Sequence, residues 1–191
     1  MMFTRVFATM IAAGMSLALA GTPAPAQAQG GVEAKVQVCN VCHGANGVPL
    51  DAKTMPVIWG QTEYYIVKQL ANYRNGMREH PTMTPLAKGL AAADLRPIAA
   101  YFAGKQWPAN PAPAASAAPP AAIATCLPCH QPKLEGGAPA PRLAGLNYDY
   151  VVQQMRAFAN EERNNNEDMV KIMKMFSDSE REAMARYIAG L

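Results

Sequence analysis

Apolar residues recur at helical spacing along most of this chain, and no stretch alternates as a half-buried strand would. Tyr65, Ile66, Leu70 and Tyr73 line one face and predict a helix over 62–75, with a twin over 148–159. Shorter helices are predicted at 31–42 and 123–129, and a closing helix ends each half. Ser177 with Glu180 three residues on reads as a capping box that opens the last helix. Its counterpart offers Ala91 and Asp94. An N-cap at Asp94 would put Pro97 in the first turn, where a missing N–H is tolerated. The remaining apolar run, 6–20, follows Arg5 and ends in small residues. About 15 residues fall short of the ~20 that a membrane span needs. A basic start, an apolar run and the small-x-small site Ala26-Gln27-Ala28 predict an export signal over 1–28, with Ala18-Leu19-Ala20 as an earlier alternative cut. Elsewhere no apolar run reaches spanning length, so no integral span is expected after processing.

The pattern is duplicated. Tyr64-Tyr65-Ile66-Val67-Lys68-Gln69-Leu70 lies over Asp149-Tyr150-Val151-Val152-Gln153-Gln154-Met155, Gly60 over Gly145 and Pro56 over Pro141. Arg78 meets Arg163, Met83 meets Met169, and Tyr101-Phe102-Ala103-Gly104 meets Tyr187-Ile188-Ala189-Gly190. Between the copies, 106–122 is rich in Ala and Pro and reads as a semi-extended linker. The expected organisation is a signal peptide over 1–28, domains over 29–105 and 123–191, and a linker over 106–122. Domains so small bury little surface, so something besides side chains is expected to fill their cores.

Charge changes the picture only at the level of halves. The whole chain carries +3, with no basic run that would suit nucleic acid. Residues 29–110 hold eight basic and five acidic side chains, whereas 111–191 hold eight and nine. Such an asymmetry gives a dipole that steers docking. Acidic pairs such as Glu161-Glu162 and Glu167-Asp168 read as solvated faces, and no Gly-rich cofactor loop or Ser/His/Asp set is present.

All four Cys and two of the three His sit in two copies of one motif, Cys39-Asn40-Val41-Cys42-His43 and Cys126-Leu127-Pro128-Cys129-His130. Thiols at i and i+3 on a helical turn face one way, and the adjacent imidazole extends past them. That arrangement suits covalent attachment of haem, the thiols adding to two vinyl groups and the imidazole ligating iron. Zinc could use the same three groups, but each copy lacks an obvious fourth ligand. A thioredoxin-like pair would need a βαβ pattern around it.

The order CxxCH, Pro56-x-x-x-Gly60-Gln61, Tyr65-x-x-x-Gln69-Leu70, Arg78, Met83 and a closing Ala100-Tyr101-Phe102 resembles the class I cytochromes c. Duplicated in one exported chain, it resembles the dihaem cytochrome c4 family over about 33–105 and 123–191. The second copy departs by placing Leu146 where Gln61 stands and Met173 where Ala87 stands. The resemblance implies an all-α protein of two tandem class I cytochrome c domains with two covalently bound haem c groups. It implies attachment at Cys39, Cys42, Cys126 and Cys129, iron ligation by His43 and His130, and a Met sulfur opposite each. Met83 lies 40 residues beyond His43, and Met169 lies 39 beyond His130. Competing candidates are Met55, Met77 and His80 in the first copy, with His80 otherwise a solvated loop residue, and Met173 and Met175 in the second. Met83 precedes Ala91 by eight residues, as Met169 precedes Ser177, and this shared register favours Met169. The carbonyls of Pro56 and Pro141 are implied to orient the imidazoles. With both axial positions filled, the expected function is single-electron transfer in the periplasm, free or associated with the membrane surface. Donors would be a dehydrogenase or quinol oxidoreductase and acceptors a terminal oxidase or reductase. The alternatives are an electron-accepting subunit of a dehydrogenase complex and a dihaem peroxidase-like enzyme.

Overall fold

The computed structural model describes residues 27–108 and 118–191. Nearly all of the predicted signal and the middle of the predicted linker, 109–117, lie outside the described residues. Eight α-helices are present among the described residues: α1 (Gln27–His43), α2 (Glu63–Asn75), α3 (Met83–Lys88), α4 (Leu95–Ala103), α5 (Leu127–His130), α6 (Tyr148–Ala159), α7 (Glu167–Lys174) and α8 (Asp178–Ala189). The described residues form no strand, only an isolated bridge between Gly137 and Ala140.

The helices gather around two apolar cores. In the first, α1 and α2 pack on α4, and α3 packs on α2. Val36, Ile98 and Phe102 are sealed from solvent there. Burying each such side chain stabilises the fold by roughly 1.5–3 kcal/mol. In the second, α6 packs on α7 and α8, around Leu134, Met173, Met184 and Ile188. The duplication persists in the backbone. The Gly60 N–H donates to the Phe102 carbonyl and the Gly145 N–H to the Ile188 carbonyl, each at 2.9 Å, at equivalent places in the two copies. Both glycines hold positive φ, +69° and +81°, which side-chain-bearing residues rarely adopt.

Three local differences from the sequence-based expectation have physical causes. Helix α1 starts at Gln27, four residues before the predicted start, and runs through Gly30 and Gly31, which weaken a helix but, unlike proline, leave every backbone N–H in place. The helix predicted at 123–129 is a 3₁₀ turn, Ala121–Thr125, followed by the four-residue α5. Pro119 and Pro120 block extension upstream, and Pro128 cannot donate into a continuous helix, so it sits in the first turn of α5. Asp94 does precede α4, but its carboxylate pairs with Lys35 on α1 and makes no cap. Ser177 and Glu180 form both bonds of the expected capping box on α8.

Candidate functional site

Each CxxCH motif lies at a helix end, and the helix fixes what its side chains can reach. Cys39, Cys42 and His43 occupy the last turns of α1, and Cys129 and His130 lie on α5 with Cys126 just before it. No disulfide joins any of the four cysteines. Burial pushes the Cys39 thiol up, and burial followed by the neighbouring Cys129 pushes Cys126 up to about 11. Among the described residues no three His, Cys, Asp or Glu converge as a metal-ion site.

Both imidazoles are buried and held identically. His43 Nδ1 lies 2.9 Å from the Pro56 carbonyl oxygen, and His130 Nδ1 lies 2.8 Å from that of Pro141. A carbonyl only accepts, so Nδ1 carries the proton in both rings and Nε2 keeps its lone pair. Burial lowers both imidazole pKa values, with the carbonyl bonds pulling the other way. Each ring is thus a neutral, oriented donor of the kind that ligates iron.

Met83 and Met169 each begin or nearly begin a short helix, and both are half-buried against the local core. Their backbones are held alike. His80 Nδ1 accepts from the N–H groups of Thr82 and Met83, both at 3.2 Å, and Asn166 Oδ1 accepts from Met169 N–H at 3.1 Å. His80 is an exposed loop residue, as expected, and its ring also holds the two N–H groups at the start of α3. Met173 is fully buried, while Met175 is 72% exposed. Helices α3 and α7 escaped the sequence reading because six and eight residues are too few for apolar periodicity to register. Their legible signals were polar: Asn166-Glu167-Asp168 at one end of α7, and Lys171 and Lys174 at the other.

Between the two cores lies a polar network built from duplicated residues. Arg78 donates to Gln69 Oε1 at 2.6 Å and to Gln154 Oε1 at 2.8 Å. Arg163 donates to Gln154 Oε1 at 2.8 Å and to the Tyr65 hydroxyl at 2.9 Å. Every one of these hydrogen-bond partners is neutral, and Asn165 also bonds Gln69. Burial would raise the Tyr65 pKa, but Arg163 and Arg78 outweigh it and bring it below its ordinary value. The sequence hinted at this network by keeping the same Tyr, Gln and Arg in both copies. Trp59 Nε1 is buried without a partner as well. Cations facing no carboxylate, together with an orphaned indole N–H, fit a cofactor that brings its own carboxylates, as haem does.

Paired thiols, an oriented imidazole with free Nε2 and carboxylate-hungry cations in a helical shell define a c-type cytochrome. A "Cytochrome c" family model matches residues 117–191. The chain is 33% identical to cytochrome c4 of Pseudomonas aeruginosa over 93% of this chain and 95% of that protein. It is 31% identical to a thiosulfate dehydrogenase electron acceptor of Stutzerimonas stutzeri, over 85% of this chain and 83% of that one. The solved structure of reduced recombinant cytochrome c4 from Pseudomonas stutzeri superposes with a TM-score of 0.71 at 28% identity, covering 85% of this chain and 97% of that chain. The chain belongs to the cytochrome c4 family. It is an electron-transfer protein with covalently bound haem c, not an enzyme, and its two halves have the class I cytochrome c fold. No helix among the described residues is long and apolar enough to cross a membrane.

Proposed function

We propose that the chain is an exported, periplasmic dihaem carrier that takes single electrons from a respiratory dehydrogenase or quinol oxidoreductase and passes them to a terminal oxidase or reductase. One haem belongs to 29–105, held by Cys39, Cys42, His43 and Met83. The other belongs to 123–191, held by Cys126, Cys129, His130 and Met169. Residues 106–122 join the two. The observation that carries this reading is the repeated bond from a buried imidazole Nδ1–H to a proline carbonyl, at 2.9 and 2.8 Å. It leaves one lone-pair nitrogen beside each Cys pair. Bound haem supplies a one-electron couple, and a Met ligand raises its potential relative to a second imidazole. The protein's own part is to hold the imidazoles in one tautomer, to bury them, and to fix each Met backbone at the start of its helix. Mass spectrometry of the native exported protein should find the polypeptide from 29 onward with two added haems. One haem or none would sink the reading, as would a high-spin resting spectrum, which marks an open iron.

A second reading rests on the relatives described as thiosulfate dehydrogenase electron acceptors, 31% and 28% identical. There the chain would accept electrons as a subunit docked to a periplasmic dehydrogenase. Native purification separates the two: a free carrier elutes alone, and a subunit co-elutes with its enzyme.

A further inference from the structure

The peptide group between Pro141 and Arg142 is engaged at both ends. Its carbonyl oxygen accepts from His130 Nδ1 at 2.8 Å, and its N–H donates to Gln61 Oε1 at 2.7 Å. Gln61 belongs to the other half of the molecule, 81 residues away, and is only 4% exposed. Its Nε2 returns a bond to the Arg142 carbonyl at 2.9 Å, and its Oε1 also accepts from Thr62 N–H at 2.9 Å. Three backbone partners of fixed polarity leave the amide one orientation. The result is an unbroken relay: His130 Nδ1–H, the Pro141–Arg142 peptide, Gln61.

We propose that Gln61 is a positioning residue for His130, through which the first half of the molecule tunes the iron centre of the second. This rests on the haem ligation proposed above. Hydrogen bonds in series polarise one another, so the Gln61 bond to the N–H makes the carbonyl of the same peptide a stronger acceptor. A stronger acceptor on Nδ1–H makes the ring a more basic ligand through Nε2 and stabilises the oxidised metal. The relay runs one way only. Gly60 aligns with Gly145, so Leu146 holds the register of Gln61 in the second half, and its buried alkyl side chain has nothing to offer the Pro56–Val57 peptide behind His43. The departure at Leu146 is then a source of inequivalence between two otherwise duplicated centres.

The test uses the full haem-loaded protein and the variants Gln61→Leu, which installs the second half's own residue, and Gln61→Met, which keeps the side-chain length should the first fail to accumulate. Two readouts are taken: the imidazole Nδ1–H resonances of His43 and His130 by NMR, and both reduction potentials by spectroelectrochemical titration. The His130 resonance should shift while that of His43 stays, and the potential of the second centre alone should rise. Unchanged resonances, equal movement of both potentials, or a shift confined to His43 would each overturn the proposal. Haem content by mass is measured on the same samples. Absence of haem in the wild-type protein would refute the ligation scheme separately from the relay.

Discussion

At the residue scale, the second axial sulfur is the point where three methionines compete. Met173 is fully buried among the side chains of the second core. Met175 is 72% exposed at the end of α7. Met169 alone reproduces the setting of Met83, half-buried with a backbone N–H bonded to a side chain three residues upstream. Met169→Ala should remove about half of the sulfur-to-iron charge-transfer absorption and lower one potential only. Met173→Ala should keep that absorption and destabilise the fold by about 2–5 kcal/mol, as other core truncations to Ala do. The reverse pattern in the spectra would reassign the ligand. His80 adds a related prediction. His80→Ala removes the acceptor for Thr82 and Met83 and should cost about 1 kcal/mol, as lost caps do, while His80→Asn should restore most of it in denaturant titrations. The CxxCH motifs were legible because attachment chemistry fixes their spacing, whereas Pro56 and Pro141, 13 and 11 residues beyond their histidines, were implied by the family resemblance alone. The cap at His80 was not legible, because histidine is no habitual capping residue and only the fold brings its ring back over Met83.

At the element scale, equivalent helices begin differently, and their stabilities should differ accordingly. Helix α8 has both bonds of its capping box, whereas α4 enters through a 3₁₀ turn with no side-chain cap. Ser177→Ala should therefore cost about 1 kcal/mol. The same cap predicts a pH response. The Ser177 backbone N–H and then its hydroxyl hold the Glu180 carboxyl below its ordinary value. A carboxylate lowered in the folded state contributes stability above its unfolded pKa and loses it as pH falls through the lower folded value. Protection against hydrogen exchange in the first turn of α8, taken relative to the intrinsic rate at each pH, should fall on acidification through that range. In Glu180→Gln that loss of protection should be absent. The long helices were legible because twelve or more residues display an apolar stripe, as α2 and α6 do. Short α3, α5 and α7 are set by caps, prolines and the pull of the core, which periodicity does not register.

At the scale of the whole molecule, the sequence left open whether the linker holds the halves apart or lets them meet. They meet around residues that the repeat had already marked. Trp107, at the start of the linker, packs against the second core, and the Arg142 guanidinium lies 4.5 Å above its ring. Its backbone and side chain fill the spaces left by the two equivalent glycines. A Cβ on Gly60 would stand 2.9 Å from the Trp107 nitrogen, and one on Gly145 would stand 2.9 Å from Trp107 Nε1. No apolar pattern could have forecast this, since a tryptophan in an Ala/Pro-rich segment reads as linker until its neighbours are known. The polar network shares the interface, where Arg78 reaches Gln154 and Arg163 reaches Tyr65 across the halves, and hydrogen bonds from a charged group contribute about 1.5–3 kcal/mol each. Small-angle scattering of the haem-loaded protein should therefore give a single compact particle. Trp107→Ala removes the wedge and the stacked guanidinium contact, together worth about 2–4 kcal/mol on burial and cation–π grounds. It should broaden the scattering profile towards two lobes at moderate urea, before either core unfolds by circular dichroism. If the variant stays compact until both cores melt together, the Arg78, Arg163 and Gln61 contacts hold the halves without the tryptophan. The paired glycines would then serve only the local bonds to Phe102 and Ile188.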